Sequence, residues 1–216
     1  MKNRLLSTLF LLLLVLTAMG AKKPKYIFYF IGDGMGMSPV LCAEAYNRNV
    51  LGNTQPLLML QFPVVSMSTT YSASNTITDS AAAGTALATG HKTNNGMLGV
   101  TPDTQPVQSV AYELKQQGYG IGIATSVAPD DATPGAFYAH VNHRGQFYDI
   151  AKDMAQSNYE IFAGGKLRGH APKGEPDVHT ILADAGYTVV DGPAKWNEQL
   201  HGEKVVLLNA PYHLDH

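Results

Sequence analysis

Short apolar runs rich in β-branched and aromatic residues alternate with segments of helical period along most of the chain. Residues 26–32 (YIFYFIG) read as a buried strand, and residues 38–46 as a helix that follows a glycine loop. Residues 64–71 (VVSMSTTY) read as a second strand, and Ser80–Thr89 as a small-residue helix stopped by Gly90. A helix over 107–117 precedes a strand over 120–126, and a helix over 146–156 precedes a strand over 161–163. The remainder repeats the theme: helix 177–185, strand 187–190, helix 195–200 and strand 204–208. Such alternation predicts an α/β fold with a largely parallel sheet covered by helices on both faces, a three-layer α/β/α sandwich. No internal repeat or low-complexity linker interrupts it.

In sheets of this kind, ligands gather beyond the carboxyl ends of the strands. Three polar clusters fall just after predicted strands or in the loops beyond them: GDGMG (32–36), TDSAAAG (78–84) and PDDATPG (129–135). In the first, Asp33 ends a strand between glycines that let the backbone turn sharply. Its ordinary role is a loop aspartate bonding its own turn; the sharper one is a carboxylate bridging two cations. The glycine spacing is not that of a dinucleotide-binding loop. In the second, Ser80 opens a helix of small residues. It can cap that helix, or it can be a nucleophile held where helix N–H groups favour an anion. A free serine needs a base or a metal to react, and no histidine stands nearby in sequence, which turns activation toward a metal. Asp79 then fits the work of orienting a cation.

In the third cluster Asp130, Asp131 and Thr133 offer hard oxygen donors suited to magnesium, and Pro134 follows where a helix accepts it. Arg144, eleven residues beyond Thr133, carries a guanidinium fork able to hold two phosphate oxygens; its ordinary alternative is a surface ion pair. His140 and His143 read as i, i+3 neighbours on one helical face, either half a metal site or a packed pair.

Composition narrows the setting. The chain has 216 residues, 45% hydrophobic and 15% charged, which suits one globular unit. Its first twenty residues stand apart: a positive MKNR start, an apolar run and small residues around Gly20 make a secretory signal peptide rather than a lasting membrane span. Cleavage there leaves residues 21–216 as the working domain and implies a secreted or periplasmic protein. It also removes Lys2 and Arg4 from the 15 basic residues, leaving 13 against 17 acidic ones. That mildly acidic balance argues against a nucleic-acid partner held by phosphate neutralisation. Cys42 is the one cysteine, so no internal disulfide forms and stability rests on the core or on bound ions.

With IGDGMG, TDSAAAGTALATG and DATPGAFYAHVNHR in this order and spacing, the chain resembles the alkaline phosphatase family of metal-dependent phosphomonoesterases over about residues 25–165. The sulfatase branch of the same superfamily is disfavoured, because its C-x-P-x-R signature is absent. The resemblance implies two zinc ions and one magnesium ion, with a small-molecule phosphomonoester as substrate. Asp33 would bridge a zinc and the magnesium. Ser80 would bind that zinc as alkoxide, attack phosphorus in line and become phosphoserine. Arg144 would clamp the phosphoryl oxygens, with Asp79 steadying its guanidinium. Thr133 would be a magnesium ligand and Asp131 would hold the water shell around that ion. The family also implies a homodimer.

The family's downstream ligands, a glutamate and further aspartates and histidines, have no counterpart motifs here. A zinc ion wants about four ligands, and this sequence offers Asp33 and Ser80 for one zinc and none for the other. The terminal His213, Asp215 and His216 are poor substitutes, since chain ends fray. The expectation is therefore an incomplete, amino-terminal part of an alkaline phosphatase-like domain. The alternative is a truncated, catalytically deficient remnant that binds phosphate through Arg144 and the Ser80 helix.

Overall fold

A computed structural model describes residues 23–192 and 204–209. The signal peptide expected over 1–20, the helix expected over 195–200 and the residues His213, Asp215 and His216 lie outside the described residues. The chain divides into two units, residues 1–51 and 52–216.

In the first unit, helix α1 spans Met37–Asn49 and buries none of its residues. Residues 26–32, expected as a buried strand, are irregular instead, with Phe28 78% and Phe30 85% exposed. Among its described residues the unit has one helix and no strand to pair with. β-Propensity describes how a side chain suits a pleated, half-buried surface, and without a ladder the same residues stay uncovered. Asp33 lies in the turn that follows, where the Met35 N–H donates to the Gly32 carbonyl at 3.1 Å and Gly34 takes a left-handed φ of 68°.

The second unit carries the sheet. After helices α2 (Ser80–Thr89) and α3 (Val110–Gln116) come β1 (Gly122–Ala124), α4 (Ala132–Gly135), α5 (Phe147–Gln156) and β2 (Ile161–Gly164). The unit continues with α6 (Val178–Asp184), β3 (Tyr187–Asp191) and β4 (Lys204–Leu208). Strand order is β1-β2-β4-β3, and every pairing is parallel. This is the predicted α/β class with its parallel sheet. Residues 64–71 are the second correction: they form no strand, and Val64 is 81% and Met67 90% exposed. They too read as a strand on propensity alone and join no ladder among the described residues.

Several helix starts sit where a side chain caps them. Ser109 Oγ accepts from the Tyr112 N–H, so α3 begins at Val110 rather than at 107. Asp177 caps α6 through the Thr180 N–H. Helix α5 buries Ile150, Ala151, Met154 and Ala155 on one face, the helical stripe that its sequence period announces. Under the sheet, Tyr138, Tyr159 and Tyr187 surround the Phe162 ring at centroid distances of 5.2–6.1 Å. Each buried phenol donates to a carbonyl: Tyr138 to Pro129 at 2.6 Å, Tyr159 to Phe137 at 3.0 Å and Tyr187 to Tyr159 at 2.8 Å. Their polar ends are therefore satisfied. The first of these bonds fixes the loop that leads directly into Asp130 and Asp131.

Candidate functional site

Helix α2 begins with an aspartate cap. Asp79 has extended backbone and its Oδ1 accepts from the Ala82 N–H at 2.9 Å, while Ser80 is the first helical residue. Of the two roles open to Ser80, the cap is not the one it fills: the helix draws its cap from Asp79, whose carboxylate favours the positive helix end. Ser80 is half-buried, and its hydroxyl has no hydrogen-bond partner among the described residues. The small residues behind it serve packing. Ala81 and Ala82 are buried, and a Cβ added at Gly84 would stand 3.0 Å from Ala136 Cβ and 3.5 Å from Thr133 Cα. A Cβ here would require the Asp131–Ala136 turn to give by a few tenths of an ångström, so glycine suits the close approach of α2.

Asp79 also faces outward along the site. Its Oδ2 accepts from the Gly96 N–H at 3.0 Å and from Arg144 Nη1 at 3.5 Å. Arg144 is held opposite α2 by a backbone zipper. Leu98 and Val141 exchange both hydrogen bonds, at 2.9 and 3.0 Å, and the Arg144 N–H donates to the Gly96 carbonyl at 2.6 Å. Thr85 Oγ1 accepts from the Gly99 N–H at 3.0 Å, which ties the zipper to α2. Gly99 has φ 59°, and a Cβ there would run into the Ala139 carbonyl oxygen, so two independent constraints reserve that position for glycine. Residues 140–143 are not helical, which removes the geometry behind a paired histidine site. His140 Nε2 meets the Val107 carbonyl at 3.2 Å, and His143 Nδ1 accepts from the Gly145 N–H at 3.0 Å.

The third cluster provides two adjacent carboxylates with different partners. Asp131 caps α4 and is largely buried. Its Oδ1 accepts from the Ala132 N–H at 2.7 Å and from Arg144 Nη2 at 3.3 Å, and its Oδ2 from Arg168 Nη1 at 2.9 Å. Asp130 is fully buried and accepts from the backbone N–H groups of Arg168 and Gly169, each at 2.8 Å. Burial pushes its carboxyl up to about 6; the two N–H groups oppose that rise and the charge of Asp131 adds to it. Thr133 lies inside α4 and is half-buried.

Ser80, Asp79, Arg144, Asp131 and Thr133 therefore belong to one connected neighbourhood, joined through the Asp79–Arg144–Asp131 ion pairs and the α2–α4 contact. Asp33 belongs to the other unit. Arg168 escaped the sequence reading. The available signal was the glycine pair, Gly164 and Gly165, at the end of β2. A Cβ at Gly164 would stand 2.6 Å from the Val127 carbonyl oxygen and 3.0 Å from Pro129 Cδ, a close approach at the carboxyl end of a strand, where ligand loops gather.

Chemically, the neighbourhood offers an unengaged hydroxyl, a guanidinium and hard oxygen donors. Asp131 and Thr133 carry hard oxygen atoms, the donor type that a magnesium ion and its waters take. A zinc ion is not accommodated by these residues alone. Among the described residues no three His, Cys, Asp or Glu side chains gather as a metal cluster, and both oxygens of Asp131 already accept from arginine.

The family model for alkaline phosphatase matches residues 24–171. The chain is 36% identical over 162 residues to the repressible alkaline phosphatase of Saccharomyces cerevisiae, covering 71% of this chain and 28% of that protein. It is 31% identical over 198 residues to the tissue-nonspecific alkaline phosphatase of Felis catus, covering 78% and 38%. A solved variant of the alkaline phosphatase from the Antarctic bacterium TAB5, with magnesium bound in its M3 site, superposes with a TM-score of 0.74 at 28% identity. That superposition covers 86% of this chain and 52% of the TAB5 chain. The chain thus spans about a third of the length of these curated relatives. It belongs to the alkaline phosphatase family.

Proposed function

We propose that the intact protein hydrolyses phosphate monoesters through a phosphoserine at Ser80. The observation that supports this most is the division of labour at the start of α2: Asp79 caps the helix and pairs with Arg144, while no hydrogen bond among the described residues engages the Ser80 hydroxyl. Arg144 takes two phosphoryl oxygens in its fork, while Asp79 and Asp131 fix the guanidinium plane. Ser80 Oγ loses its proton and bonds to phosphorus as the ester oxygen leaves with a proton. Water then attacks the phosphoserine, releasing inorganic phosphate and restoring the hydroxyl. The first turn of α2 favours the negative charge that gathers there.

Two zinc ions and one magnesium ion complete this reading. Ser80 would donate to zinc, and Thr133 and Asp131 would serve the magnesium. When bound, such cations supply the charge that makes a serine hydroxyl nucleophilic and stabilises a leaving oxygen. The chemistry warrants that machinery, since rate gains for phosphate monoesters reach about 10²¹. The substrate is a small phosphomonoester, the assembly a homodimer, and the location secreted or periplasmic. The apolar run after MKNR supports that location. No helix among the described residues is long and apolar enough to cross a membrane.

The test is release of p-nitrophenol from p-nitrophenyl phosphate at alkaline pH. Turnover is expected with added zinc and magnesium, to fall to background on chelation and to return when the ions are restored. Absence of metal-dependent turnover contradicts the proposal. The lack of a three-residue metal cluster among the described residues motivates a second reading, a remnant that binds phosphate with little turnover; tight phosphate binding without product release supports it.

A further inference from the structure

We propose that Arg168 is a positioning residue of this site. By holding Oδ2 of Asp131 it leaves Arg144 a single carboxylate oxygen, and so keeps the Arg144 guanidinium open to an anionic phosphoryl group. This rests on the reading that Arg144 meets the phosphoryl group.

The grip on Asp131 is unequal. Arg168 Nη1 lies 2.9 Å from Oδ2, within the range of a strong charge-assisted bond, whereas Arg144 Nη2 lies 3.3 Å from Oδ1. Oδ1 is also shared with the Ala132 N–H at 2.7 Å, so the carboxylate cannot rotate without losing its helix bond. The Arg144 contact to Asp79 is looser still, at 3.5 Å. Arg144 is thus aimed from two sides without being locked by either.

Arg168 is itself firmly placed. Its backbone N–H donates to both oxygens of Asp130, at 3.1 and 2.8 Å, and Asp130 is fully buried. Its guanidinium lies over the Phe147 ring, 4.1 Å from the centroid. Three separate contacts therefore bring one arginine to one carboxylate oxygen. Without it, both oxygens of Asp131 become available to Arg144. The resulting bidentate pair would occupy two donors that a phosphoryl group needs. A carboxylate of the protein would then compete with the ligand for one fork.

The experiment measures inorganic phosphate affinity by calorimetry in the intact protein, with Arg168→Ala, Arg168→Lys, Arg144→Ala and the Arg168→Ala/Arg144→Ala double variant. Arg168→Ala is expected to weaken phosphate binding by roughly tenfold, the scale of coupling between groups in one ion-pair network. Arg168→Lys should recover part of the loss, since it keeps a charge on Asp131 without the fork. The double variant should bind no more weakly than Arg144→Ala alone. Unchanged affinity in Arg168→Ala, or a loss that persists undiminished when Arg144 is already absent, overturns the proposal. A second readout is independent of phosphate: the Nε–Hε resonance of Arg144 in arginine-labelled protein. It should shift and sharpen into a carboxylate-paired form in Arg168→Ala, and an unmoved resonance overturns the inference. Should the wild-type protein bind no phosphate and turn over no ester, the phosphatase reading fails, while this resonance still decides the role of Arg168.

Discussion

Replacing Ser80 by alanine is expected to lower turnover of p-nitrophenyl phosphate in the intact protein by about 10⁴–10⁶-fold, the scale seen when a nucleophile is removed from a working site. The fold should not notice. Asp79 supplies the cap, so the helix does not use the Ser80 hydroxyl, and alanine is a good helix former. A stability change within about 0.5 kcal/mol is expected. Affinity for inorganic phosphate should survive, because the oxygens are held by Arg144. Asp79→Ala serves as the contrast: it removes a cap worth about 1 kcal/mol and a partner of Arg144 together. Steady-state kinetics with thermal unfolding in parallel check the separation. Turnover retained within tenfold in Ser80→Ala would remove the hydroxyl from the chemistry.

Arg144→Ala comes next in size. It is expected to reduce kcat/KM by about 10²–10³-fold, the range for losing a preorganised donor to a charged transition state, with a higher KM and weaker product inhibition by phosphate. The side chain is one-third exposed, yet its backbone is fixed by the 2.6 Å bond to Gly96, so removing the guanidinium should leave its neighbours in place. Arg144→Lys should restore little. A lysine keeps the charge but presents a point in place of a planar fork, and it cannot reach Asp79, Asp131 and a phosphoryl group at once. Wild-type kinetics in Arg144→Lys would mean that the site needs a positive charge and not the bidentate geometry.

How much of this was legible in the sequence depends on what each element needs. Strand β4 spans Lys204–Leu208 as read from KVVLL, and β2 runs Ile161–Gly164 against an expected 161–163. These are central strands, flanked on both sides, so apolar run and structure coincide. Helix α2 was legible from end to end because Gly90, with φ 74°, stops it in the left-handed conformation that glycine accepts. Residues 26–32 and 64–71 carry equally good strand composition, and they fail because pairing is a property of a neighbour, which no local pattern records. The cap at α2 lies one residue before the candidate weighed in the sequence: aspartate and serine are about equally good caps, and only the backbone angle separates Asp79 from Ser80. Arg168 lay hidden for another reason. Its partner Asp131 is 37 residues away, and an ion pair between loops beyond different strands leaves no spacing to read.

The central claim is that the Ser80 oxygen takes the phosphoryl group. It is tested most directly by mixing the intact, metal-loaded protein with a phosphate monoester, quenching in acid within one turnover and locating the phosphorylated residue by peptide mass spectrometry. A single phosphoryl group on Ser80, absent from Ser80→Ala, is the predicted result. Active turnover with Ser80 unmodified and phosphate on another residue, or on none, would contradict it.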